Sequence, residues 1–216
     1  MNAASVWLAR HQAALGLCLL ALCTTPALRH VVEARMGTHM LLQFPALALA
    51  GGLLAGGTAP RWRMRLQAWN THGIAGLALA ALVLAIAMIP RLLDLALVDL
   101  RVEAVKWVAL LLCGAALRLS WEAAGVVVQG FFLGNTLPMM AIAGWLYGVS
   151  AVRLCNAYRL DEQHAVGQAL TWAAASIAAA WLARTGWRMT RPPAGDAPAT
   201  VLAQEPLPAS APARPS

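Results

Sequence analysis

Six long apolar segments, separated by short polar stretches, constrain the fold of this chain more than any other feature. A helix needs ~20 largely apolar residues to cross a bilayer, and continuous apolar runs argue against the alternating pattern of a β-barrel. The sequence therefore predicts an all-α, polytopic transmembrane helix bundle with about six spans. The segments cover residues 12–28, 38–59, 73–89, 104–119, 125–150 and 165–183.

The composition supports insertion into the lipid bilayer, which is the expected partner of the helical domain. Hydrophobic residues make up 60% of the chain and charged residues only 12%, about half the charged fraction of ordinary soluble domains. The net charge of +7 does not indicate a nucleic-acid partner, because the basic residues are dispersed. The densest group, Arg61, Arg63 and Arg65, lies between two apolar segments, where arginines fix topology or meet anionic head groups.

The chain divides into two regions. Residues 1–184 form the predicted transmembrane helical domain, and residues 185–216 form a Pro/Ala-rich tail that we expect to be disordered and cytoplasmic. The first apolar segment could be a signal peptide. An uncleaved helix is favoured, because residues 26–29 match a signal-peptide cleavage site poorly.

An even number of spans places both termini on one side of the membrane. The Arg61–Arg65 cluster lies in a short loop on that side, so the positive-inside rule puts both termini in the cytoplasm. The loops at 29–37, 90–103 and 151–164 then share the outer face. Lys106, at the start of the fourth segment, is expected to extend to the interface.

A stripe of possible metal ligands begins the second segment. Met36, His39, Met40 and Gln43 are spaced i, i+3, i+4, i+7, which is one face of an α-helix. Thioethers and imidazole suit Cu(I), and Glu33 could orient the histidine from outside the ligand set. The sequence predicts a Cu(I) site here.

Two further residues, His164 and Met88, lie near the same outer face and could complete a low-coordinate site. Pro45 removes a hydrogen bond to the carbonyl of Leu41 and opens the helix next to the stripe. The alternative is that the methionines fill packing gaps and the histidine lies at the interface. His72 falls on the opposite side and is not expected to join the site.

No arrangement of nucleophile, acid and base points to catalysis, so the chain is not expected to be an enzyme, and no catalytic or organic cofactor-binding residue is predicted. The four cysteines form no CxxC motif and are expected to be small buried hydrophobes.

Three stretches together resemble the bacterial multi-span CtaG-type cytochrome c oxidase assembly factors. They are THMLLQFPALALAG at 38–51, IPRLLDLAL at 89–97 and DEQHAVGQALTW at 161–172. Their order and spacing match the family's motifs across most of the folded chain. Matching positions are His39, Met40, Pro45, Pro90, Asp94, Asp161, Gln163, Gly167 and Trp172.

This resemblance implies a role in maturing a haem-copper oxidase, through handling or delivery of copper at the outer face, as a metallochaperone does. It implies an oxidase subunit or a copper chaperone as the partner. Asp94, Asp161 and Gln163 would orient the metal ligands from outside the ligand set or contact the partner, together with Glu33 and Gln43.

The chain also departs from the family pattern. The second histidine of the first motif is replaced by Gln43 or Phe44, the histidine before the second motif's proline by Ile89, and the next helix carries VEAVKW without a histidine. The family also tends to have one more span. These losses leave two alternatives to copper handling: a metal-free scaffold for oxidase assembly, or a small transporter whose proline-containing helices line a path.

Overall fold

The computed structural model describes the backbone of residues 3–190 and, except at residue 60, the side chains of residues 11–190. This part of the chain is helical and contains no strand, which confirms the all-α class. The helices are α1 (Ala3–Thr24), α2 (Pro26–Glu33), a π-helix (Thr38–Gln43), α3 (Phe44–Gly56), α4 (Pro60–Trp69), α5 (Ile74–Ala87), α6 (Pro90–Val98), α7 (Leu100–Ser120), α8 (Gly125–Val149) and α9 (Leu160–Thr190).

Six membrane spans are not confirmed. Three stretches are long and apolar enough to cross a membrane: Thr38–Gly56, Gly125–Val149 and Leu160–Thr190. The number rises to 5 if α1 with α2, and α4 with α5, each count as one bent span. Helix α7 coincides with the fourth predicted segment but is not among them, because it carries Arg101, Glu103, Lys106 and Arg118.

Local chemistry explains where several helices start. Proline occupies the first turn of α2 and of α6, where its missing N–H costs nothing. The angle of the bend between α1 and α2 is 68°, and that between α4 and α5 is 84°. Gly73 begins α5 at a φ of 69°, a left-handed conformation that favours glycine.

Glycines bring two helix pairs into close contact. A Cβ at Gly114 would overlap the carbonyl of Ala48, so α3 and α7 touch through their backbones. A Cβ at Gly167 would lie 2.5 Å from the carbonyl oxygen of Gly144, which places α9 directly against α8. Such small-residue contacts are typical of helix packing in membranes.

Helix α9 continues to Thr190, beyond the predicted domain boundary at 184. The rest of the expected tail, residues 191–216, lies outside the described residues.

The bundle has two chemically different ends. At the end that we call the network end, the backbone N–H of Met36 donates to Glu162 and that of Asn156 donates to Asp94. The loops at 29–37, 90–103 and 151–164 therefore meet at one end, as the sequence predicts. At the opposite end, which we call the arginine end, Asn70 donates to the hydroxyl of Ser120.

Candidate functional site

Three of the four stripe residues, His39, Met40 and Gln43, lie on a π-helix. Thr38–Gln43 winds as π rather than α, two residues before Pro45, which has no N–H to offer the carbonyl of Leu41. The α-helical spacing assumed from the sequence is therefore wrong here. The side chains still face the interior, because Met36, His39, Met40 and Gln43 are only 0–4% exposed. Short π segments are frequent at functional sites.

Both ring nitrogens of His39 have partners. Nε2 lies 3.2 Å from Nζ of Lys106, and Nδ1 lies 2.7 Å from the hydroxyl of Tyr158. A lysine ammonium only donates, so Nε2 accepts and Nδ1 carries the proton of a neutral imidazole. The Tyr158 hydroxyl accepts that proton's hydrogen bond and donates its own to the carbonyl of Glu33 at 3.0 Å.

Four charged side chains surround this histidine and balance one another. Lys106 lies 3.3 Å from a carboxylate oxygen of Glu33, which also accepts from Arg29 at 2.9 Å. Arg29 in turn contacts the carboxylate of Glu103, which is fully buried. Two cations and two anions make the cluster neutral, which lowers the cost of burying it. We call Arg29, Glu33, His39, Glu103, Lys106 and Tyr158 the polar network.

The connection between α8 and α9 is held in place by two polar side chains. Asp94 accepts from the backbone N–H of Asn156 at 2.8 Å and of Ala157 at 3.2 Å. Gln163 accepts from the backbone N–H of Leu154 at 2.8 Å. These bonds hold the connection that carries Tyr158, so Asp94 and Gln163 help to position Tyr158 against His39.

Two groups in this connection have shifted acidity. Burial raises the pKa of the Tyr158 phenol above its ordinary value, and the nearby Glu33 carboxylate acts in the same direction. Burial, assisted by Asp94, raises the pKa of the Cys155 thiol to about 11. Both groups therefore stay protonated at neutral pH.

The remaining predicted site residues have contacts of their own. His164 donates to the carbonyl of Ser150 at 3.1 Å, whereas Glu162, two residues earlier, faces Met36; His164 therefore lies on another side of α9. Met88 ends α5, where its carbonyl accepts from Tyr147. Asp161 is exposed and pairs with Arg159 at 3.1 Å.

The stripe does not fit a copper ion in this conformation. Among residues 3–190 there is no group of three or more His, Cys, Asp or Glu that could hold a metal. Met36 and Met40 offer thioethers, but the accepting nitrogen of His39 is already bonded to Lys106. An ammonium at that distance would also repel a second cation.

Sequence reasoning missed the partners of His39. Lys106 does not extend to the interface, since its side chain is 10% exposed and bonded to Glu33. The sequence did indicate a buried partner for Lys106, because a charged residue inside an apolar helix is costly and usually pairs with another polar group. Tyr158 lies in the polar α8–α9 connection and Arg29 in the short helix α2, and the sequence around them gave no comparable indication.

Comparison with protein-family models, with curated proteins and with solved structures finds no significant match.

Proposed function

We propose that this protein is a membrane-embedded assembly factor for a haem-copper cytochrome c oxidase in a bacterial inner membrane. One observation carries the proposal: each of the three stretches that resemble the CtaG-type family, far apart in sequence, contributes a bonded side chain at the network end. His39 from the first contacts Tyr158, Asp94 from the second accepts from Asn156, and Glu162 from the third accepts from the N–H of Met36. The partners of these side chains flank the stretches, in the segment before the first and in the α8–α9 connection.

The geometry favours a metal-free scaffold as the mode of action. Lys106 supplies a positive charge beside His39 and Glu33, so both ring nitrogens of His39 are bonded without a metal. The network then fixes the relative positions of α2, α7 and the α8–α9 connection. In this role the network end is the surface that an oxidase subunit contacts during assembly.

Cu(I) handling is the second candidate function, and the shared face of Met36, His39 and Met40 favours it. Copper would require Lys106 to leave Nε2 of His39, and a further ligand, His164 or Met88, to join the stripe. The ligands would be few and soft, as exchange with a copper chaperone or an oxidase subunit requires.

Complementation of a deletion strain tests the proposed function. The wild-type chain is expected to restore the spectrum and activity of the haem-copper oxidase. The variant Met36→Leu, Met40→Leu removes both thioether ligands, keeps the side-chain volume and leaves every residue of the polar network in place. If the protein is a scaffold, this variant should still support oxidase assembly. If the protein delivers copper, the variant should not support it. Normal oxidase maturation in the deletion strain would exclude the assembly role.

An anaerobic Cu(I) titration against a competing chelator separates the two modes directly. The scaffold predicts no competitive binding by the purified protein. Stoichiometric binding that is lost in His39→Gln, but kept in the control His72→Ala at the arginine end, would establish copper handling instead. Met189→Leu, at an exposed position, is the matched control for the methionines.

A further inference from the structure

Helix α4 exposes both large apolar and basic side chains. Trp69 is 91% exposed and Trp62 53%, and Met64 and Leu66 are exposed as well. Arg61, Arg63 and Arg65 alternate with them. Exposure of this much aromatic surface to water is unfavourable, and tryptophan beside arginine is typical of the bilayer interface.

The orientation of α4 matches that interface. It meets α5 at 84°, and α5 consists entirely of apolar residues and glycine. If α5 lies along the bilayer normal, α4 lies nearly in the plane of the head groups. Arg65 rests over the ring of Trp62, 5.3 Å from its centroid, which keeps this charge beside the aromatic surface.

The charge at this end of the molecule is strongly positive. Arg118, Arg184 and Arg188 lie at the same end as α4, because α7 and α9 both start at the network end and finish here. Of the acidic residues whose side chains the structure describes, Glu122 is at this end and the other six are at the network end. Such a surface attracts an anionic partner.

A groove adjoins the arginines of α4. It has a volume of about 320 Å³ and runs between α4, α5 and α7. Leu66 and Trp69 form its rim, and small residues such as Gly76 and Ala116 form its floor. Asn70 fixes the rim, because it donates to Ser120 and accepts from the N–H of Gly76. Arg63 precedes Leu66 by one helical turn and so lies above the groove.

We propose that this groove and the α4 arginines form a binding site for an anionic phospholipid. The acyl chain lies along the apolar groove, and Arg63 and Arg65 bind the phosphate and the anionic head group. Arginine suits this role because its planar guanidinium makes paired hydrogen bonds to phosphate oxygens. The site lies at the arginine end and is independent of the function proposed for the network end.

Native mass spectrometry of the delipidated full-length protein, in a non-ionic detergent, tests this site. The probes are phosphatidylglycerol and phosphatidylcholine with identical acyl chains. Wild type is expected to bind phosphatidylglycerol more tightly. Near a membrane surface one arginine contributes about fivefold in affinity, so Arg63→Gln with Arg65→Gln should weaken binding of the anionic lipid by roughly 25-fold.

Two controls make the result decisive. Arg91→Gln with Arg153→Gln removes the same charge from exposed positions at the network end and should preserve the preference. Ala116→Phe fills the groove and should weaken binding of both lipids. Three results would each overturn the proposal. They are equal affinity of wild type for the two lipids, an equal loss of phosphatidylglycerol binding in the two double-arginine variants, and undiminished lipid binding by Ala116→Phe.

Discussion

At the scale of single residues, Lys106 determines what the network can do. It stands in the VEAVKW stretch of α7, and it places an ammonium 3.2 Å from His39 and 3.3 Å from Glu33. A lysine satisfies the neighbouring acceptors as a bound cation would, but it is covalently attached and does not exchange. The presence of this lysine therefore favours a structural network over a site that loads and releases an ion.

Removing this charge should destabilise the protein. In Lys106→Met, Glu33 and Glu103 share only Arg29, and an uncompensated buried charge costs about 3 kcal/mol or more. We expect a clearly lower midpoint of unfolding, followed by tryptophan fluorescence in detergent. Arg153→Met, at an exposed position, is the control and should leave the midpoint unchanged. Identical midpoints for the two variants would show that the network does not stabilise the fold.

The Cys155 thiol should make stability depend on alkaline pH. Its folded-state pKa is raised from 9.0 to about 11, so its contribution is complete below pH 9.0 and is lost as pH rises toward 11. This loss amounts to about 2–3 kcal/mol at most. Unfolding midpoints measured between pH 8 and 11 should therefore fall less steeply in Cys155→Ala than in wild type. Parallel curves would contradict a buried, neutral thiol, and Cys18→Ala is the control for thiol loss at an exposed position.

At the scale of helices, the apolar segments identified most elements but not their irregularities. All six segments coincide with helices, because runs of this length and hydropathy have few alternatives. The π-helix at Thr38–Gln43 was not predicted. Pro45 signals a broken hydrogen bond at Leu41, but whether the chain kinks or widens depends on tertiary contacts such as that between His39 and Tyr158. The bends of 68° and 84° likewise depend on packing.

The contact between α8 and α9 provides the sharpest test of packing. A Cβ at Gly167 would lie 2.5 Å from the carbonyl oxygen of Gly144 and 2.7 Å from the backbone nitrogen of Gly148. Since backbone atoms do not move aside easily, Gly167→Ala should cost about 1–3 kcal/mol. Gly186→Ala in the same helix meets nothing within 4 Å and should be neutral or stabilising by up to about 1 kcal/mol. Thermal unfolding of both variants compares them, and equal shifts would refute the close contact.

At the scale of the whole molecule, the arrangement of loops was predictable and the chemistry of the site was not. Alternation of apolar segments across a membrane places every second loop on one face, and the contacts of Asp94 with the α8–α9 connection agree. The pairing of His39 with Lys106 depends instead on how α7 packs against the π-helix. Spacing within one segment, which led to the copper prediction, contains no information about a partner that approaches from another helix.

The same alternation gives a final prediction, which concerns orientation. The arginine end should face the cytoplasm and the network end the periplasm, because arginine-rich short loops are retained inside. In a chain whose four cysteines are replaced, Arg153→Cys and Arg63→Cys place single thiols at exposed positions of the two ends. A membrane-impermeant maleimide should label Arg153→Cys in cells with a permeabilised outer membrane, and Arg63→Cys only after the inner membrane is opened. The reverse pattern would invert the topology and place the network end in the cytoplasm, where an assembly factor acting at the outer face has no access to its partner.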